Sequence, residues 1–299
     1  MKLHKWLRKT FSETPLSALH RFLRTKKVKL NGVRAKGEEV LHEGDEVRIF
    51  FLPTTQKKEN FRAFVSRAFR KKHLPILYED DDVFAINKAF SIAVQPGSKV
   101  ARGRSIIELA EQHFPSITPH LVHRIDKETS GVLLLAKHGK ALRSLLRSMQ
   151  NGSFEKQYLA LVFGCPQKKK GIIRLRLQRK ENGQSVCATG KRAVTHYEVV
   201  EEYSDISLVR LRIETGRTHQ IRVHMASIGH PLVGDNRYGD FQKNKRFFKE
   251  CHEKGLFLHA QKLVFPHPET KREICVHAPL PERWEEVLRI IRRNDNGKY

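Results

Sequence analysis

The amino-acid sequence predicts an α+β fold built on a mixed, mainly antiparallel β-sheet. From residue 76 onward, strand-like segments are numerous, and the helical segments stand between groups of strands. This segregated order is typical of α+β domains rather than of parallel α/β domains. Hydrophobic residues make up 39% of the 299 residues, which is enough for one large domain and a small one.

Residues 1–52 are predicted to form the small domain, a pair of helices followed by a hairpin sheet. Apolar side chains at helical spacing indicate a helix around 16–23, with basic residues between them. The Asn31–Gly32 pair favours the positive backbone angles of a tight hairpin turn. A further turn precedes a short strand at 46–51, so the module presents basic residues on an exposed face.

Residues 53–75 are rich in lysine and arginine and are predicted to be a basic linker that becomes ordered on a bound partner. A solvated spacer fits this composition equally well. The large domain is then expected at 76–292. Its helices are predicted at 105–113, where Ser105 and Glu108 form a capping box, and around 142–149 and 284–291. Its strands are predicted at 76–78, 83–87, 121–125, 132–136, 154–163, 172–178, 194–200, 206–213 and 256–265.

The net charge of +25 indicates a polyanionic partner, because counterion release drives binding to phosphate backbones. Four separated cysteines form no Cys-x-x-Cys pair, which argues against a zinc ribbon or a redox motif. The N-terminus lacks the apolar run of a signal peptide, and no segment approaches the ~20 apolar residues of a membrane helix. We therefore expect a cytoplasmic protein with no membrane partner.

Three segments combine charged side chains with turn-forming residues and are candidates for chemistry. The first, at 123–131, leads from an apolar strand into a turn with one aspartate beside basic residues. The second, at 156–160, is a strand that carries Tyr158. In the third, at 215–225, Gly216 ends a strand and a helix begins near Thr218, so backbone N–H groups and cationic side chains converge.

These segments resemble the motifs of the RluA-type pseudouridine synthases, in the same order. The family carries His-Arg-Leu-Asp-x-x-Thr-Ser-Gly, Lys-x-Tyr and Gly-Arg-Thr-His-Gln-Leu-Arg-Val-His; here Ile125 and Ile221 replace leucine, which conserves volume. The resemblance covers about residues 76–292, and the segments at 237–240 and 255–260 are similar to the RluC-like branch, which modifies large-subunit ribosomal RNA. Residues 1–52 resemble, more weakly, a small RNA-binding module of a ribosomal protein.

The resemblance implies isomerisation of uridine to pseudouridine, which involves no redox step and no net hydrolysis and therefore needs no cofactor. Asp126 matches the catalytic aspartate, which acts as a nucleophile at the anomeric carbon or as a base at the neighbouring ribose position. Arg222 matches the partner that keeps this carboxylate charged, since a guanidinium can hold a carboxylate bidentately. Tyr158 would stack on the uracil ring and assist a late proton transfer, and Ile221 would wall the base pocket.

The target uridine must leave its stack before it can react. Arg124 is placed to enter the vacated space, and His123 would orient that segment. Arg217 is expected to contact phosphate, and Lys156 to face the RNA or to serve the fold. The partner is thus expected to be structured RNA, most of all large-subunit ribosomal RNA, bound by a monomer.

Other interpretations stay open at the level of sequence. Asp126 alone fits a turn residue, Tyr158 a core aromatic and Arg222 a structural ion pair. The whole chain fits a catalytically silent assembly factor of ribosomal RNA, a synthase acting on transfer RNA, or a DNA-binding protein. His219 and His224 lie near metal-ligand spacing, but nothing completes such a site, so no metal is expected.

Overall fold

The computed structural model describes residues 1–11, 19–20, 23–25, 28–49, 74–97, 103–180 and 183–296. The chain divides into two compact units, Met1–Ser66 and Arg67–Tyr299. The predicted linker at 53–75 lies almost wholly outside the described residues. The domain limits given above therefore stay predictions.

The N-terminal unit contains helix α1 (Leu3–Thr10) and a three-stranded antiparallel sheet of order β2–β1–β3. Its strands are β1 (Val28–Leu30), β2 (Val33–Arg34) and β3 (Val47–Ile49). Asn31 and Gly32 both adopt positive φ, at 49° and 80°, so the predicted hairpin turn is confirmed. The Asn31 side chain also donates to Asp45 Oδ1 at 2.7 Å, which ties the hairpin to the turn before β3.

The C-terminal unit is organised around one large sheet whose central order is β10–β9–β11–β12–β8–β13–β7–β5–β4. Among the described strands, only β13 and β7 pair in parallel, so the predicted mixed and mainly antiparallel sheet is confirmed. The strands are β4 (Ile76–Glu79), β5 (Val83–Lys88), β6 (His120–Leu121), β7 (Ser130–Ala136), β8 (Glu155–Phe163), β9 (Lys170–Lys180), β10 (Gly183–Val186), β11 (Lys191–Glu202), β12 (Ile206–Ile213), β13 (Leu258–Pro266) and β14 (Glu273–His277).

Helices pack against this sheet through two apolar clusters. The described helices of this unit are α2 (Ile106–His113), α3 (Gly139–Gln150), α4 (Gln220–Ser227), α5 (Phe241–Cys251) and α6 (Glu282–Asn296). One apolar cluster joins α5 and α6 to β8 and β12 around the fully buried Trp284. A second cluster joins α3 to β5, β7 and β13. None of the helices in the described ranges has the length and apolar character that a membrane span requires.

With one exception, the elements predicted for the C-terminal unit are confirmed with small shifts in their bounds, and the capping box of Ser105 and Glu108 is present. In the N-terminal unit, part of the helix predicted around 16–23 and the end of the strand predicted at 46–51 lie outside the described residues. One prediction was wrong: the strand expected at 121–125 ends at Leu121, because the chain leaves the sheet there to form the loop that carries Asp126. Helix α5 was not predicted. Its sequence is mostly basic and polar, and it is held in the fold by the burial of Phe247 and Cys251 against the core.

Candidate active site

A cleft of about 470 Å³ opens on the sheet between the Asp126 loop, β8 and the N-terminus of α4. The eight residues that the sequence singled out all line this cleft: His123, Arg124, Asp126, Lys156, Tyr158, Arg217, Ile221 and Arg222. They come from segments almost 100 residues apart. The structure therefore brings together what the sequence showed only as separate motifs.

The loop that carries Asp126 is held at both ends. The Thr129 N–H donates to the Asp126 carbonyl at 3.0 Å, and Ser130 then starts β7. Gly131 has φ 110°, and a side chain there would collide with the backbone of Ala260 on β13. Glycine is needed at this position because β7 and β13 pair so closely. The sheet thus fixes the loop within five residues of Asp126.

The opposite wall is fixed by Gln220 at the start of α4. Its amide donates to the Val194 carbonyl at 2.9 Å, and its carbonyl accepts from the Thr215 hydroxyl at 2.7 Å and from the Arg217 N–H at 3.1 Å. These bonds hold the turn at 215–219 against β11. The preceding residue, His219, adopts φ 53° and ψ 20°, a left-handed conformation that directs the chain into the helix.

Arg222 makes its strongest contact with a carboxylate that the sequence did not assign. Its Nε and Nη2 donate to the two oxygens of Asp235 at 2.7 and 2.8 Å. Asp235 also accepts from the backbone N–H groups of Arg237 and Tyr238 at 2.8 and 3.0 Å. The sequence suggested that Arg222 holds Asp126 bidentately, and this was wrong: the bidentate partner is Asp235, which is fully buried.

The protonation of this pair follows from its contacts. Burial alone would raise the pKa of Asp235, but the hydrogen bonds and charge of Arg222 keep the pKa below its usual value. Burial likewise opposes the charge on Arg222, and Asp235 and then Asp126 outweigh it and raise the pKa of the guanidinium. Both groups are therefore charged at neutral pH.

Asp126 lies in a more open setting. Its side chain is 20% exposed, and its Oδ2 is 3.7 Å from Arg222 Nη1 and 3.8 Å from His219 Nε2. No residue in the described ranges donates a hydrogen bond to its carboxylate. Asp126 therefore has two cationic or N–H-bearing groups nearby, while its oxygens keep their full capacity to engage a substrate.

Tyr158 and Ile221 form the apolar part of the cleft, and both side chains are buried. Burial, reinforced by the charge of Asp126, raises the pKa of Tyr158, so its phenol stays protonated. The hydroxyl makes no hydrogen bond within the described part of the chain. Lys156 lies two residues earlier on the same face of β8, and burial lowers the pKa of its ammonium group.

The other three predicted residues differ in how firmly they are held. The His123 Nε2 accepts from the Leu134 N–H at 3.1 Å, and burial lowers the pKa of this ring to about 3. Arg217 Nε donates to the Arg192 carbonyl at 3.3 Å. Arg124 is exposed and forms no ion pair with any described residue. Arg124 is thus the free cation at the mouth of the cleft, whereas neutral His123 joins the loop to β7.

Sequence reasoning missed three groups around the cleft. Asp235 ends the segment Gly-His-Pro-Leu-Val-Gly-Asp at 229–235, to which the sequence assigns no role. Tyr238 accepts the Gln184 N–H at 2.8 Å and lies 2.9 Å from His219 Nδ1. The buried Lys88 donates to the Lys127 carbonyl at 3.0 Å, and burial, opposed by Asp126, lowers its pKa to about 7. A lone lysine at the end of a strand gives no signal of this in sequence.

The cleft has no metal-ligand cluster among the described residues. The one group with suitable spacing, Asp80, Asp82 and His267, lies elsewhere. His267 Nδ1 accepts from the N–H groups of Glu269 and Thr270, so Nε2 carries the proton and donates to Asp80 at 3.1 Å. Because both ring nitrogens already serve the protein, this cluster is explained by hydrogen bonding alone.

Comparison with known proteins identifies the family. Residues 82–227 match the model of the RNA pseudouridylate synthase family. The chain is 38% identical to ribosomal large subunit pseudouridine synthase C of Escherichia coli K12, covering 97% of this chain and 93% of that protein. It is 36% identical to the protein of the same name from Vibrio cholerae, covering 98% and 93%.

A solved structure of human RNA pseudouridylate synthase domain containing 1 also superposes. The identity is 27% and the TM-score is 0.59, over 70% of this chain and 84% of that one. A second human structure, domain containing 4, has a TM-score of 0.62 at 23% identity over 79% and 98%, and shows the shared fold. The chain therefore belongs to the RNA pseudouridylate synthase family, and it is an enzyme that isomerises uridine in RNA to pseudouridine.

Proposed function

We propose that this enzyme modifies uridines of large-subunit ribosomal RNA in the cytoplasm, with Asp126 as the reacting carboxylate. The observation that carries the proposal is the setting of Asp126, which is partly exposed in the cleft and accepts no hydrogen bond from a described residue, with Arg222 Nη1 3.7 Å away. The choice of RNA rests on the names of the two bacterial relatives, each matched over nearly the whole chain.

The reaction breaks the bond between N1 of uracil and C1′ of ribose, turns the base, and forms a bond between C5 and C1′. N1 gains a proton and C5 loses one, so no electrons are exchanged with a cofactor. Asp126 acts on the sugar, as a nucleophile at C1′ or as a base at C2′, and both roles require the ionised carboxylate. Arg222 Nη1 places a positive charge 3.7 Å from Asp126 Oδ2.

The apolar part of the cleft fits the uracil ring. Tyr158 and Ile221 are buried and supply flat and aliphatic surface for a base that has left its stack. Since its phenol stays protonated, Tyr158 serves as a hydrogen-bond donor before the base turns. To accept the proton that leaves C5, it must first have donated its own proton. Lys156, on the same strand face, approaches the substrate from the strand end.

The rim of the cleft fits the rest of the RNA. Arg124 is exposed and has no ion pair with a described residue, so we assign to it the space that the flipped uridine leaves. Arg217 is assigned to a phosphate, and His123 to support of the loop that carries Arg124. The residues of the cleft all belong to one chain, so a monomer is sufficient for catalysis. We assign the N-terminal module to RNA binding rather than chemistry.

The test is a map of pseudouridine in ribosomal RNA from cells with and without this protein, read by carbodiimide labelling and reverse transcription. We expect sites in large-subunit RNA to disappear, and to return with the wild-type protein but not with Asp126→Asn. An unchanged ribosomal map with lost sites in transfer RNA would contradict the proposed substrate. Sites restored by Asp126→Asn would contradict the proposed catalytic residue.

A further inference from the structure

The hydroxyl of Tyr238 stands between a backbone N–H and a ring nitrogen. The Gln184 N–H donates to it at 2.8 Å, and His219 Nδ1 lies 2.9 Å away. A phenol has one proton to donate. Within the described residues, Nδ1 is the only acceptor in reach of that proton, so the hydrogen bond is satisfied at both ends when Tyr238 donates to Nδ1.

The contact at the other ring nitrogen of His219, Nε2, favours the same protonation state, in which Nδ1 carries no proton. His219 Nε2 faces Asp126 Oδ2 at 3.8 Å. A lone pair on Nε2 would repel the carboxylate, whereas an N–H there attracts it. A neutral imidazole carries its proton on one nitrogen only. Both neighbours of the ring therefore select the form with hydrogen on Nε2.

The surroundings of His219 keep it neutral. Burial lowers its pKa, and this outweighs the opposing effect of Asp126. The other charged groups that face it are Arg222, Arg237 and Asp235, of which the two arginines also lower the pKa. Protonation of Nδ1 would further require Tyr238 to give up its donated bond.

We propose that Tyr238 is a positioning residue that fixes His219 with its proton on Nε2, so that His219 supplies a second N–H beside Arg222 to orient the Asp126 carboxylate. The inference rests on the proposed role of Asp126. It also ties the strand β10, through Gln184, to the catalytic loop. Substrate RNA that contacts the β9–β10 hairpin is thereby connected to Asp126 through Gln184, Tyr238 and His219.

The protonation is tested directly by NMR of the protein labelled with ¹⁵N-histidine, with His219→Gln used to assign the signal. We expect Nε2–H and an unprotonated, hydrogen-bonded Nδ1 at neutral pH. In Tyr238→Phe we expect a mixture of the two neutral forms. A proton on Nδ1 in the wild type would overturn the proposal, and this result does not depend on whether Asp126 is catalytic.

Single-turnover rates on substrate RNA test the consequence. Tyr238→Phe removes the hydrogen bond to His219 Nδ1 and the one accepted from the Gln184 N–H, and only the first leads to Asp126, so we expect a loss of about two- to tenfold in rate with unchanged RNA affinity. His219→Gln places an amide N–H near the Nε2 position and should retain more activity than His219→Asn, which cannot reach Asp126. Tyr238→Phe should add no further loss to His219→Asn. A full additional loss there would show that Tyr238 acts independently of His219.

A second, independent observation concerns the outer side of α5. Phe241 is 74% exposed, and it is the one described aromatic residue whose side chain is not at least half covered. Lys245 and Lys249 follow it at i+4 and i+8 on the same side of the helix, about 6 Å apart along its axis. Neither lysine has an ion pair with a described residue, whereas the neighbouring Arg246 is paired with Glu250.

The helix that carries Phe241, Lys245 and Lys249 is hydrogen-bonded to the segment that holds Arg222. Asn244, in the first turn of α5, accepts from the Gly234 N–H at 2.7 Å and donates to the Asp235 carbonyl at 3.0 Å. Asp235 in turn holds Arg222. Phe241 is three positions after Tyr238 in the chain, so their Cα atoms lie within about 11 Å of each other.

We infer that Phe241, Lys245 and Lys249 form an auxiliary RNA-binding surface, on which an unpaired base of the substrate stacks and two phosphates bind. An exposed aromatic ring flanked by free cations matches the chemistry of single-stranded RNA, which offers flat bases and regularly spaced charges. Other exposed aliphatic residues, such as Ile172, lack this planar surface.

The two contributions separate in a salt titration of RNA affinity. Phe241→Ala should weaken binding about 5- to 100-fold with an unchanged salt slope, and Phe241→Trp should bind as wild type. Lys245→Ala/Lys249→Ala should lower the slope of log K against log salt by about 1.4 to 1.8. The control Lys140→Ala/Lys271→Ala makes the same charge change elsewhere. Wild-type binding by Phe241→Ala, or an equal slope change in the control, would overturn the inference.

Discussion

Arg222 lies between two carboxylates that the structure treats differently. Asp235 is fully buried, and its two oxygens accept two guanidinium N–H groups and two backbone N–H groups at 2.7–3.0 Å. Asp126 is 20% exposed, accepts no hydrogen bond from a described residue, and stands 3.7 Å from the same guanidinium.

The difference assigns the two aspartates to different tasks. Asp235 holds Arg222 in place, because a buried guanidinium without a paired carboxylate would be strongly unfavourable. The orientation so obtained directs Nη1 toward Asp126, which has this positive charge beside it without being saturated by hydrogen bonds from the described residues. A carboxylate saturated by hydrogen bonds would be a poor nucleophile and a poor base, so the looser contact at Asp126 is the one suited to chemistry.

The largest expected effect comes from Asp126→Asn. The amide has nearly the same shape but no negative charge, so we expect the rate of pseudouridine formation to fall by about 10²–10⁴-fold or more. Since backbone contacts supply most of the binding, RNA affinity should change little. Gel-shift titration measures affinity alongside the rate. Loss of RNA binding together with activity would mean that Asp126 serves the fold.

Asp235→Asn tests the other side of the comparison. In this variant the buried charge of Arg222 no longer faces a carboxylate, and an amide oxygen replaces the two carboxylate oxygens as acceptor. We therefore expect the free energy of unfolding to fall by about 3–5 kcal/mol. Urea unfolding measures this loss. Asp126→Asn, the matched control, should change the free energy of unfolding by less than about 1 kcal/mol. Equal destabilisation by the two variants would remove the distinction between the aspartates.

The pH dependence sharpens the same contrast. The pKa of Asp235 is lowered in the folded state, so its stabilising effect is present above the unfolded value of about 3.9 and is lost as pH falls through the folded pKa. We expect the stability gap between wild type and Asp235→Asn to be constant from about pH 7 to 5 and to shrink below about pH 4. A gap at pH 3 as large as the gap at pH 7 would contradict this linkage.

The comparison also shows what the sequence could and could not predict. Strand patterns, the Asn31–Gly32 turn and the Ser105 capping box are local, so they were predicted well. The motif residues that line the cleft were found through resemblance. Asp235 was missed because its partner is 13 residues away and becomes a neighbour only after α4 and the following turn have formed. Helix α5 was missed because its burial depends on α6.

The smallest expected effect on the reaction rate comes from removing the N-terminal module, which contains neither aspartate. Deletion of residues 1–52 should weaken RNA binding or broaden site choice, and it should leave the single-turnover rate at saturating RNA unchanged. A filter-binding titration with the same substrate measures the affinity. A truncated protein that binds and modifies RNA as the full chain does would contradict the RNA-binding role of the module.

The most direct test of the division between Asp126 and Asp235 is one experiment on each variant: tritium release from RNA labelled at C5 of uridine, with the thermal midpoint measured on the same sample. Asp126→Asn should release no tritium above background while its midpoint stays within about 2–4 °C of wild type. Asp235→Asn should lower the midpoint by about 6–12 °C or more. Tritium release by Asp126→Asn within tenfold of the wild-type rate would show that Asp126 is not the reacting carboxylate.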